Sequence, residues 1–98
     1  MSILEKFSLK GKVIVITGGT GILGKSFVKA LAEAGATIVI IGRNQDKINE
    51  RVNMATDLGA EAIGLVADVM DEQSVKDAKQ KIVNKYGSID GLINAVGG

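Results

Sequence analysis

Thr17-Gly18-Gly19-Thr20-Gly21-Ile22-Leu23-Gly24 decides the fold, because the apolar run of residues 12–16 leads into it and an amphipathic helical pattern leads out. A glycine-rich turn from strand to helix is a phosphate cradle. Its glycines admit positive φ and let a pyrophosphate approach the backbone, while the free N–H groups and the dipole at the helix start face the anion. The first implication is a nucleotide ligand. The same letters satisfy a second phosphate pattern, since Gly19 to Ser26 also reads G-x-x-x-x-G-K-S, the P-loop of nucleoside triphosphatases.

Working outward, apolar runs suited to strands lie at residues 13–16, 37–41, 62–66 and 89–95. They are continuous rather than alternating, which implies burial on both faces. Between them run three helical stripes: Leu23, Phe27, Leu31 and Ala34; Ile48, Val52, Ala55 and Leu58; Val75, Ala78, Ile82 and Tyr86. Gly35, Gly59 and Gly87 close the helices, and Asn44 and Asp71 are suited to N-caps. Strand and helix alternate three times before a last strand. Right-handed crossovers fold that order into an α/β doubly wound parallel sheet of four strands with three helices on its two faces.

Composition narrows the partners. Ninety-eight residues with 46% hydrophobic and 23% charged content describe one soluble globular unit. A net charge of +1 with interleaved signs and only three aromatic residues argues against nucleic acid. The chain has neither cysteine nor histidine, so it holds no disulfide, no Cys/His zinc site and no Ser-His or Cys-His catalytic pair, and no metal-binding residues are assigned. The first residues lack a basic segment followed by an apolar core, and no apolar run reaches the roughly 18 residues that span a membrane. A cytoplasmic protein without a membrane partner is the expectation.

The two phosphate readings make different demands on the rest of the chain. As a P-loop, Lys25 would reach the β and γ phosphates, Ser26 would ligate magnesium, and Asp68 would be the acidic partner. As a dinucleotide fold, the loop is followed by a second strand whose end meets the adenosine ribose, and Gly42-Arg43-Asn44 stands there. An arginine suits a ribose 2′-phosphate, and no carboxylate at Gly42 opposes it. This reading also gathers Arg43, Asp68-Val69 and Asn94 at strand C-terminal ends beside one crevice, whereas the P-loop reading leaves them without a common purpose. NADP is therefore expected to bind at least as well as NAD.

Leu9-Lys10-Gly11-Lys12-Val13, Thr17-Gly18-Gly19, Gly42-Arg43-Asn44, Ala67-Asp68-Val69 and Leu92-Ile93-Asn94-Ala95-Val96-Gly97, in this order and spacing, resemble the N-terminal half of the short-chain dehydrogenase/reductase family. The resemblance covers essentially the entire chain and implies an NAD(P)-binding Rossmann fold. Within the family, the lead-in from Phe7 to Lys12, the Gly-Thr-Gly-Ile-Leu-Gly loop and the final Asn-Ala-Val-Gly-Gly are similar to D-mannonate oxidoreductase-like members. The cofactor residues so implied are Gly18, Thr20, Gly21, Ile22, Leu23, Gly24, Arg43, Asn44, Asp68, Val69, Asn94, Ala95 and Gly97. Asp68 either meets the adenine amino group, as in the resembled family, or shapes the turn before a helix. Asn94, an amide in an apolar strand, must bond either backbone or cofactor.

Two departures from the family pattern stand out. Ile22 occupies a position where the T-G-x-x-x-G-x-G loop has glycine, and the N-N-A-G signature appears as Asn94-Ala95-Val96-Gly97, without its second asparagine. The family's catalytic serine, tyrosine and lysine have no counterpart either. The only tyrosine, Tyr86, is followed four positions later by Asp90, so no catalytic residue is assigned. The expectation is one domain, residues 1–98, truncated before the catalytic half and inactive alone. In the resembled full-length enzyme the substrate is a small carbonyl or alcohol, with a sugar acid such as mannonate or fructuronate as one class. The apolar edge at residues 89–95 points to a homo-oligomer. A P-loop fragment and a non-catalytic nucleotide-binding module are the alternatives.

Overall fold

Val13, Ile14, Val15 and Ile16 are all buried, because the strand they form is flanked on both sides and covered on both faces. The computed structural model describes residues 8–18 and 20–95. Its elements are β1 (Val13–Thr17), α1 (Ile22–Glu33), β2 (Thr37–Gly42), α2 (Gln45–Asp57), β3 (Ala62–Val66), α3 (Glu72–Tyr86) and β4 (Gly91–Asn94). The strands form one parallel sheet in the order β3-β2-β1-β4. The four-stranded, three-helix Rossmann-like arrangement expected from the sequence is the one observed.

Side-chain alternation along β1 and β2 divides the core in two. Ile14, Ile16, Ile38 and Ile40 point to the face covered by α1 and α2, where Val28, Leu31, Ile48 and Ala55 meet them. Val13, Val15, Val39 and Ile41 point to the opposite face, against Ala78 and Ile82 of α3. No helix among the described residues is long and apolar enough to cross a membrane.

Burial on both faces holds for β1 and β2 but not for the outer strands. β3 is half-buried, and β4 alternates between half-buried and exposed. The physical reason is cover: α3 is the only described helix on its face. Leu92, paired with Val15, points to that face and is 68% exposed, whereas Ile93, paired with Ile16, packs into the α1/α2 core. β4 is also shorter than the expected 89–95. Asp90 ends the preceding loop by accepting the Val13 N–H through Oδ2 at 2.8 Å and donating its own N–H to the Val13 carbonyl at 2.8 Å.

The helix caps fall where expected. Asn44 accepts from the Lys47 N–H, Asp71 accepts from the Gln73 N–H, and Gly35, Gly59 and Gly87 have φ of +88°, +91° and +87°. The stripes are less regular. Leu23, Leu58 and Val75 are exposed, while Gly24 and Val28 complete the buried face of α1. A helix end that overhangs the sheet has nothing to bury its outermost stripe residue against, whatever its spacing.

At Gly64 the sheet and α2 approach so closely that a Cβ would run into Ile48 Cγ2 and lie 3.2 Å from Val52 Cγ2. Gly64→Ala should therefore lower stability by about 1–3 kcal/mol, the usual range for overpacking a filled core. Urea unfolding checks this, and an unchanged midpoint would contradict the close packing. A second link runs from α3 to the start of β3, where Tyr86 Oη donates to Glu61 Oε2 at 2.8 Å. Burial first, then that hydrogen bond and the carboxylate charge, push the Tyr86 phenol from its ordinary 10 up to about 12. The folded chain thus keeps the proton to higher pH than the unfolded one. Its stabilisation is complete below pH 10 and is lost as pH rises through 10 toward about 12. Stability measured across that window should fall, and Tyr86→Phe should flatten the decline.

Candidate functional site

The chain steps outward from β1 to β2 and β3, then returns to place β4 on the other side of β1. This reversal leaves a crevice beyond the carboxyl ends of β1 and β4, where open parallel sheets bind ligands. Register brings the strand ends together: Thr17 pairs with both Ile41 and Asn94, and Gly42 pairs with Val66.

The glycine-rich loop starts at this edge. Gly18 has φ +73° and donates its N–H to the Ile41 carbonyl at 3.3 Å, which turns the chain out of β1 and ties it to the end of β2. Gly21 is the N-cap of α1, and its carbonyl receives the Lys25 N–H at 3.0 Å. The amides of Ile22, Leu23 and Gly24 precede that first helical bond and have no intrahelical acceptor. Among the described residues no side chain caps this helix, and no acidic residue lies in its first turn. With the dipole added, the α1 N-terminus is a place for an anion. Ile22 projects 85% exposed, so the missing glycine at that position creates no clash inside the chain.

A cavity of about 360 Å³ lies in front of the loop, lined by Gly18, Thr20, Gly21, Gly42, Arg43 and Asp68, with Val69 and Ala95 beside them. The structure therefore brings together the loop, the end of β2 and the end of β3, as the dinucleotide reading requires. Asn44 is not among the lining residues, because its side chain is used as the α2 cap. Asp68 does shape the turn before α3: Oδ1 accepts the Met70 N–H at 2.9 Å, and its own N–H donates to Ser74 Oγ at 2.9 Å. Asn94 lies at the end of β4, where its Oδ1 accepts from Thr17 Oγ1 at 3.3 Å. Gly97 falls outside the described residues.

A second, larger cavity of about 690 Å³ lies on the α3 face and is lined by Val15, Ile82 and Leu92, with Thr17 and Asn94 at its polar end. It shares Ile41, Ala67, Val69 and Met70 with the smaller one. The sequence reading missed Met70, Ser74 and Thr17. Met70 is 88% exposed at the rim of both cavities, and a large apolar side chain in a turn after a strand was the available signal. Nothing in the letters marks Ser74 as the acceptor for a backbone amide six residues earlier.

The helix start also decides against the P-loop. Residues Ile22 to Gly24, which would wrap a triphosphate in that reading, are already helical. Lys25 and Ser26 line a separate groove between α1 and α2 with Met54 and Leu58.

The profile of the short chain dehydrogenase family matches residues 12–98. The 2-dehydro-3-deoxy-D-gluconate 5-dehydrogenase of Formosa agariphila is 40% identical over 95 residues, covering 96% of this chain and 36% of that protein. The crystal structure of 2-keto-3-deoxy-D-gluconate dehydrogenase from Streptococcus agalactiae shares 41% identity, with a TM-score of 0.83 over 93% of this chain and 34% of its own. A candidate D-mannonate oxidoreductase from Haemophilus influenza with bound NAD is 28% identical and superposes with a TM-score of 0.91 over 99% of this chain and 35% of its own. The chain spans about a third of the length of the curated relatives it matches.

Gly18→Val tests the loop. A β-branched residue at φ +73° is strained by about 1–2 kcal/mol or more, so the loop should abandon its turn and any dinucleotide affinity should fall by at least about tenfold. Calorimetry on a variant with unchanged far-UV dichroism reads this, and full affinity would remove the cradle.

Proposed function

Because the chain belongs to the short-chain dehydrogenase family, we propose that it is the cofactor-holding part of an NAD(P)-dependent oxidoreductase acting on a carbonyl or secondary alcohol. The observation that carries this reading is the uncapped start of α1, entered through the left-handed Gly18 at the strand-order reversal. Gly18, Thr20 and Gly21, with the backbone amides of Ile22, Leu23 and Gly24, hold the pyrophosphate. Arg43 lines the same crevice from the end of β2, with Gly42 in place of a carboxylate, and there it receives a ribose 2′-phosphate. Asp68 and Val69 border the adenine side; Asn94 and Ala95 border the nicotinamide side. The bound cofactor supplies or accepts hydride.

A sugar acid is the proposed substrate class. Its support is that relatives at 40% and 41% identity are named for 2-keto-3-deoxygluconate chemistry, and a third for mannonate. The chain alone is expected to be inactive. Tyr86 is its only tyrosine, and with its hydroxyl on Glu61 and its phenol pushed up to about 12 it is unsuited to proton transfer near neutrality.

Arg43→Ala should weaken NADP binding by about 1–3 kcal/mol and leave NAD nearly unaffected, since only NADP offers the charge-assisted partner. The Haemophilus relative carries NAD, which makes the paired titration decisive. Equal losses for both cofactors would show that Arg43 does not read the 2′-phosphate, and binding of neither by the parent chain would sink the proposal.

A further inference from the structure

We propose that Arg51 of α2 is a positioning residue for the cofactor loop, an inference that rests on the dinucleotide reading above. Its Nη2 donates to the Thr20 carbonyl at 3.0 Å across 31 residues of sequence, and its Nη1 lies 3.7 Å from Met54 Sδ. Arg51 is half-buried and does not line the crevice, so it acts on the loop from behind.

The Thr20 carbonyl and the Gly21 N–H belong to one planar trans peptide and point in opposite directions. The N–H end donates to the Gly18 carbonyl at 3.3 Å, and Arg51 holds the carbonyl end. This peptide lies immediately before the α1 N-terminus, and Gly21 on its C-terminal side offers little steric resistance to rotation. If it flipped, the Thr20 carbonyl would face the Gly18 carbonyl instead of the Gly21 N–H, the two dipoles would repel, and the turn that presents the α1 amides to the anion would be lost. Arg51 opposes the flip with a charge-assisted hydrogen bond, and its positive charge strengthens the field behind the cradle. Among the described residues the loop also meets β2 through the 3.3 Å bond from Gly18 to Ile41 and the Thr20 methyl packed over Gly42, within 3.6 Å of where a Cβ would stand, neither of which is charged. Arg51 is thus the charged tie that binds the phosphate loop of the first strand-helix unit to the helix of the second.

The test compares Arg51→Met, which keeps an apolar stem against Met54, with Arg51→Lys, which restores a cation. NAD and NADP affinities are read by calorimetry, and exchange of the Gly21 amide is read in the free protein. Arg51→Met should weaken NAD and NADP alike by on the order of tenfold and speed Gly21 exchange, at unchanged far-UV dichroism. Arg51→Lys should recover most of both. Unchanged affinity in Arg51→Met, with the parent binding both cofactors, would overturn the role of Arg51 alone. A loss confined to NADP would make Arg51 a ligand contact and overturn the positioning role. A parent chain that binds neither cofactor would overturn the dinucleotide reading, and this role with it.

Discussion

The backbone of β1 is hydrogen-bonded to β2 on one side and β4 on the other, and both faces of its side chains are covered. Every other feature depends on that central position. Because β1 has neighbours on both sides, the chain must reverse direction across the sheet. The reversal opens the crevice, and the turn that leaves β1 enters it. A strand so enclosed has to be apolar on successive residues, and Val-Ile-Val-Ile meets that demand. The approach of Gly64 to Ile48 shows how closely the flanking unit is drawn in on the α2 side.

Electrostatics at the crevice comes more from the backbone than from side chains. The start of α1 supplies amides and a dipole, and among the described residues Arg43 supplies the one cation that lines the cavity. Among the described residues, Asp68 is the only acidic one lining it, with Oδ1 already engaged in its own turn. Such a site favours an extended polyanion over a metal-bound triphosphate. The loop geometry says the same: α1 begins at Ile22, too early for a P-loop to wrap.

The two sheet faces are unequal. α1 and α2 cover one face more fully, whereas α3 covers the other only in part and leaves Leu92 beside an apolar cavity. That asymmetry explains why continuous apolar runs correctly indicated burial for β1 and β2 and overstated it for β3 and β4. A run of letters records what a strand is able to bury. Whether cover exists is a property of the neighbouring elements.

What the sequence determined by itself was local: which segments are strands and helices, the caps at Asn44, Asp71, Gly35, Gly59 and Gly87, and the glycine-rich turn after β1. These follow from side-chain periodicity and backbone freedom, which act over a few residues. That the loop, Arg43 and Asp68 would meet at one crevice was legible because strand ends converge in any parallel sheet that reverses its order. The tertiary structure alone decided the rest. It committed Asp68 to the turn before α3. It exposed Leu23, Leu58 and Val75 despite their spacing, and it started β4 late, after Asp90. It also joined Arg51 to Thr20 across 31 residues. The physical reason is common to all of these: a hydrogen-bonding group takes the partner that folding brings within about 3 Å, and spacing along the chain does not specify which distant partner arrives.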